Sequence, residues 1–345
     1  MKINKRESNF ELLRIVLILM VITLHYLNGN LGGGLSHFAN NSLNFFVGHI
    51  VESFCIIAVN VFIIITGYFS YKKTNVKLSK ILMLYFLMFF WGMLLSFSVI
   101  LITKQSLDLS NIIKILKLSF SQWFVVIYSI LYLLIPFINI IISKLNENTF
   151  KLLLGICVGF FYIWPTFFTN TPVMDAGYGI TNFITLYLLG AYINIFNKNM
   201  KLLSSIRIYI LSTILTIIFS FFTSRAWSYN SIFVLISSVA FFELFCLIKI
   251  KTNKVINNLA SYTFAVYLID VNDFFGVFLY RKLFYSDFFW YSKWMILNLL
   301  ISILGVYIIC VVLEYFRRIL MDQFISRRIN KLDIPLPSER GDYNE

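Results

Sequence analysis

The chain has 345 residues, of which 59% are hydrophobic, 18% aromatic and only 13% charged, with a mean hydropathy of +0.81. That balance excludes a soluble globule and predicts an all-α polytopic membrane protein. A net charge of +13 would suggest nucleic acid in a soluble chain, but here the cations follow the loops between apolar segments, so a lipid bilayer is the expected partner and nucleic acid is not.

The basic start MKINKRE and the apolar run after it imitate a secretory signal. Arg14 interrupts the run, however, and LNGNLGGG offers no small-residue cleavage site, so the segment reads as an uncleaved first span. Apolar windows of about 20 residues give ten spans, at 11–28, 48–70, 79–102, 122–143, 152–168, 179–196, 208–223, 231–248, 259–280 and 294–316. With a cytoplasmic N-terminus the inward segments hold 21 of the 29 cations, so both termini are expected in the cytoplasm. Residues 28–47 form a Gly- and Asn-rich outward loop without Lys or Arg. Residues 103–121 place apolar side chains at helical spacing and read as an interfacial helix. The chain divides into a transmembrane region, 1–316, and a tail, 317–345, that starts as a basic amphipathic helix and ends in polar, Pro-containing sequence expected to be disordered.

The first span organises the rest. Arg14 and His25 have ten residues between them, which on a helix is about three turns, so both share one face roughly 16 Å apart. An ionisable group at membrane depth costs at least about 2.5 kcal/mol and usually lines a cavity or pathway. The alternative is that Arg14 snorkels to one interface while His25 sits in the opposite headgroup layer. The other polar residues inside spans are Glu52, Asn60, Glu243, Asp270, Asn272 and Asp273. Thr66-Gly67-Tyr68 puts small residues where close helix contact is possible. Gly32-Gly33-Gly34 reads as a flexible loop. Cys55, Cys157, Cys246 and Cys310 stand singly in apolar segments, which suits packing and implies no metal site. No Walker A loop, G-x-S-x-G elbow, H-E-x-x-H or Rossmann glycine pattern is present in the sequence.

The order SNFELLRIVLILMVITLHY, AVNVFIIITGYFSYKK, SQWFVVIYSILYLLIPFIN, YGITNFITLYLLGAYI, LASYTFAVYLID resembles the acyltransferase 3 family of integral-membrane bacterial O-acetyltransferases that modify cell-surface polysaccharides. The Arg, ten residues, His signature is matched by Arg14 and His25, the S-G-Y/F motif by Thr66-Gly67-Tyr68 and the W-F pair by Trp123-Phe124. The family's ninth-span Y-L-I-H stands here as Tyr267-Leu268-Ile269-Asp270, which replaces a histidine with an acid. Arginines frequent after S-G-Y/F are Lys72 and Lys73 here, which keep charge but lose the forked geometry.

The resemblance implies a ten-helix enzyme of the bacterial plasma membrane that moves an acetyl group from cytoplasmic acetyl-CoA to a hydroxyl of an envelope or capsular glycan or its lipid-linked precursor. Acyl-CoA is then a donor substrate, and no bound cofactor is expected. A sugar hydroxyl needs a positioned base, and neutral imidazole suits that task near pH 7, so His25 is the expected base or a transient acyl carrier. Arg14 would stabilise the thioester end or its oxyanion, and Lys72, Lys73 and Lys77 would attract the donor phosphates unless they only anchor the inner face. Glu52, Asn60, Trp123 and Asp270 are the supporting candidates. Two other readings stay open: a transporter or flippase of lipid-linked glycans, in which the buried charges form a translocation path, and an inactive binding homologue, suggested by Asp270.

Overall fold

The structure is a computed structural model that describes residues 7–104, 106, 108–120, 122–168, 175–196 and 200–329, apart from the side chains of Leu118 and of residues 322–329. Within lipid every backbone polar group needs an internal partner, and the described residues meet that demand with helices. These are α1 (Ser8–Leu27), α2 (Leu43–Ser70), α3 (Leu78–Thr103), α4 (Leu109–Phe120), α5 (Trp123–Ser143), α6 (Glu147–Phe167), α7 (Ile180–Phe196), α8 (Leu202–Ser220), α9 (Ile232–Leu247), α10 (Lys254–Asp270), α11 (Asp273–Leu283) and α12 (Met295–Ile329).

Among the described residues, eight segments are long and apolar enough to cross a membrane, with the last of them counted over Met295–Met321. The pair α10 and α11, bent by 84°, makes a ninth if the two halves are counted as one broken span. The apolar α7 spans only 17 residues. The window read at 259–280 is therefore two helices, because Val271 and Asn272 interrupt it. Asn272 accepts from the backbone N–H groups of Phe274 and Phe275, which caps α11. Its side-chain amide donates to Ser96 Oγ of α3 at 3.1 Å, so the break is anchored from outside.

Helix α1 runs through the middle of the bundle and packs against α2, α9, α10 and α12. Leu13, Leu17, Ile22, Tyr26 and Leu27 are buried along it. At its Arg14 end Ser8 bonds to Asn257, and Asn9 donates to the Phe245 carbonyl. Helices α2 and α7 cross in close contact: a Cβ on Gly67 would lie 2.1 Å from the Tyr187 carbonyl oxygen, and one on Gly190 would lie 2.1 Å from that of Ile64. The small-residue contact expected at Thr66-Gly67-Tyr68 is thus a backbone-to-backbone approach.

Helix α4 forms within the segment read as interfacial and folds back on α3, with Ser119 against Gly92. Gly32-Gly33-Gly34 does more than loosen a loop. Gly33 has φ +84°, and a Cβ on Gly32 would lie 2.1 Å from the Tyr26 carbonyl oxygen. Arg281 donates to the Leu31 and Gly29 carbonyls, and Trp290 donates to that of Gly32, so the loop is fastened over the His25 end of α1. Helix α12 continues through position 317 to Ile329 without a break; the polar tail expected after it lies outside the described residues. Cys55, Cys157 and Cys310 are buried and Cys246 partly so, and all four are free thiols.

Candidate active site

Among the described residues, a cavity of about 710 Å³ follows the face of α1 from Glu11 and Arg14 to His25 and Asn28. Both signature residues line it, as the three-turn spacing requires. The cavity therefore has two ends of different chemistry.

At one end the His25 Nδ1 lies 2.6 Å from Asp270 Oδ2. Asp270 is the last residue of α10 and is fully buried. Its other oxygen accepts from the Tyr280 hydroxyl at 2.6 Å, and that hydroxyl also reaches the Ile22 carbonyl at 3.1 Å. The 84° bend brings this about, because it turns α11 so that Tyr280 comes back beside the end of α10. In the tautomer with Nδ1–H donating to Asp270, the Nε2 lone pair is left for the cavity. The His25 side chain keeps 14% of its surface exposed there. A carboxylate, an oriented imidazole and an open nitrogen make a general base, or a nucleophile, with a fixed tautomer.

At the other end Arg14 Nη1 bonds to Glu11 Oε1 at 2.8 Å, and the guanidinium side chain is 37% exposed. Side chains on a helix lean toward its N-terminus, so Arg14 points away from His25 while His25 points back along the cavity. The pair thus frames an elongated space and does not converge on one atom.

Lys72, Lys73 and Lys77 do not line this cavity. They occupy the loop between α2 and α3, which Asn139 of α5 holds by donating to the Ser70 and Lys73 carbonyls. Lys72 lies over the Tyr71 ring, and Lys73 bonds to Ser70 Oγ at 2.8 Å. Partial burial of the Lys73 ammonium lowers its proton affinity, and the charges of Lys80 and Arg14 lower it further. Lys73 therefore belongs electrostatically to the Arg14 end, although it does not touch the cavity wall.

Glu52 and Trp123 line the cavity, and Asp270 serves it through His25. Asn60 stands behind it, donating to the Tyr229 carbonyl at 2.8 Å. Asn182 in turn bonds to Asn60, and Tyr162 donates to Asn182. Glu243 is elsewhere, accepting from the Met200 backbone. Tyr280, Tyr178, Tyr229 and Tyr267 are the site residues that sequence reasoning missed. With 20 tyrosines in the chain, none of them stands out by composition. Two carried a signal: Tyr178 begins the landmark YGITNFITLYLLGAYI, and Tyr267 is the first residue of the motif that ends at Asp270. No group of three His, Cys, Asp or Glu side chains suited to a metal ion occurs among the described residues.

Comparison with known proteins gives one family match: residues 7–315 fit the acyltransferase-domain family of the acyltransferase 3 type. No curated protein and no solved structure matches the chain.

Proposed function

The chain belongs to the acyltransferase 3 family, and on that premise we propose that it carries an acyl group, acetyl by the family resemblance, from cytoplasmic acyl-CoA to a hydroxyl of an envelope or capsular polysaccharide or its lipid-linked precursor. The observation that supports this best is the buried Asp270 and Tyr280 pair behind His25, at one end of a cavity whose other end holds Arg14.

The reaction uses this arrangement as follows. The acceptor hydroxyl gives its proton to His25 Nε2 as its oxygen attacks the thioester carbonyl. Asp270 stabilises the imidazolium that results, and Tyr280 holds the carboxylate in place. The tetrahedral intermediate collapses, the C–S bond breaks, and the proton passes from His25 to the departing sulfur. If His25 carries the acyl group instead, Nε2 attacks first and the same carboxylate contact fixes its orientation. Arg14 points away from this centre, which favours contact with the polar, phosphate-bearing part of the donor over contact with the oxyanion. Lys73 and Lys80 add positive charge on that side. In this reading the protein works in the bacterial plasma membrane with Arg14 toward the cytoplasm.

The test compares surface glycans of a deletion strain and its parent by mass and by proton NMR. Loss of O-acetyl signals on deletion, restored by the wild-type gene and not by His25→Ala, is expected. A cavity that follows a span from end to end would also suit a transporter of lipid-linked glycans. Glycans that keep full acetylation but fail to reach the surface would favour that second reading.

A further inference from the structure

We propose that the His25 end of the cavity contains a saccharide subsite, in which Trp123 and Tyr178 supply an aromatic platform while Glu52 and Tyr267 bind ring hydroxyls. This inference rests on the acyl-transfer reading and adds the residues that would hold the acceptor. All four side chains line the cavity that reaches His25.

The indole of Trp123 packs edge to face on Tyr178, with ring centroids 4.6 Å apart, and near-parallel on Tyr229 at 5.8 Å. Tyr178 is 48% exposed, so the platform has an open side. Asn60 fastens Tyr229 from behind by its carbonyl, and Asn182 fastens the loop by the Gly177 carbonyl, so the aromatic group is held and not loose. Three residues on the cavity wall carry a buried polar atom without a hydrogen-bond partner among the described residues: Glu52 Oε2, the Tyr267 hydroxyl and, one helical turn before Tyr267 on α10, Thr263 Oγ1.

Buried polar atoms without partners are costly, and such atoms beside a cavity point to a ligand that completes them. The chemistry of that ligand follows from the mixture. A pyranose offers C–H faces to an aromatic ring and hydroxyl donors to a carboxylate. A lipid chain would leave these polar atoms unsatisfied. An occupant of this kind would have a hydroxyl within the same space as His25 Nε2, which is what the transfer needs.

The probes are the 4-nitrophenyl β-glycosides of glucose, galactose and N-acetylglucosamine, whose nitrophenyl group quenches nearby tryptophan fluorescence. Titrated into the solubilised full-length protein, at least one should quench saturably, and Glu52→Gln and Trp123→Phe should each weaken that binding by about tenfold. Both substitutions nearly preserve shape, and the apparent melting temperature of each variant shows whether it is folded. In steady-state assays the same variants should raise the KM for the glycoside and leave the KM for acetyl-CoA within about twofold. Equal affinity in wild type and both variants, absence of saturable quenching by all three glycosides, or equal quenching by 4-nitrophenol alone would overturn the subsite. Glycoside binding that is lost in the variants, with no release of CoA by the wild type, would instead keep the subsite and overturn the acyl-transfer reading.

Discussion

His25 and Asp270 are 245 residues apart in sequence and 2.6 Å apart in space, and in the proposed acyl transfer the imidazole would work through that contact. His25→Ala should lower transfer by about 100- to 10,000-fold, the usual cost of a missing positioned base, without removing the protein from the membrane. Asp270→Asn should keep the fold yet lower kcat by about 10- to 100-fold, because an amide can stabilise neither the imidazolium nor the required tautomer as well. A His25→Ala variant that acetylates normally at equal abundance would remove His25 from the chemistry. For Arg14, the part-buried pair with Glu11 suits an anchor that Lys could replace, whereas a forked contact with the donor could not be so replaced. Arg14→Lys is expected to fail in transfer while cysteine accessibility reports unchanged orientation. The Arg14 and His25 pair was legible because the helical period alone puts two residues eleven apart on one face. The partner of His25 was legible only as one of three candidate carboxylates within spans, Glu52, Glu243 and Asp270, any of which could orient an imidazole, and Asp270 also looked like a departure from the family's histidine. Its place behind His25 is a product of tertiary packing, which no local spacing encodes.

At the scale of elements, the apolar windows located the helices well because lipid leaves the backbone little choice but helix. They hid the break at Val271 and Asn272, since hydropathy continues through it and only an asparagine followed by an acid, a helix-start signal, marks the place. That break brings Tyr280 to Asp270, so the feature least visible in a hydropathy reading is the one the site depends on most. The crossing of α2 and α7 is a second dependence. Thr66 on the cavity wall is next to Gly67, whose Cα faces the Tyr187 carbonyl so closely that any side chain must push the helices apart. Gly190→Ala should therefore destabilise by at least about 1–3 kcal/mol, the usual cost of overpacking, and lower the apparent melting temperature in detergent. A variant that melts with the wild type would mean that α2 and α7 are free to separate. The same substitution at Gly155, where an added Cβ meets nothing within 4 Å, provides the control.

For the whole molecule, the cavity and the charge map make the strongest joint claim. A CoA thioester cannot cross a bilayer unaided, and the cations of the loop between α2 and α3 lie on the Arg14 side, while the loop over the His25 end, 28–47, has no Lys or Arg. Donor and acceptor should then approach from opposite faces and meet near His25. In sealed vesicles oriented with Lys72, Lys73 and Lys77 outward, acetyl-CoA added outside should be cleaved, and faster when a glycan acceptor is trapped inside. Replacing the three lysines together by Gln should weaken donor binding most at low salt, because screening lengths shrink from about 30 Å at 0.01 M to about 10 Å at 0.1 M. None of the three touches the cavity wall, so their effect should appear in the donor KM and its salt dependence and leave the acceptor KM alone. Glycan movement into or out of the vesicles with no release of CoA, whatever the acceptor, would instead identify the cavity as a translocation path.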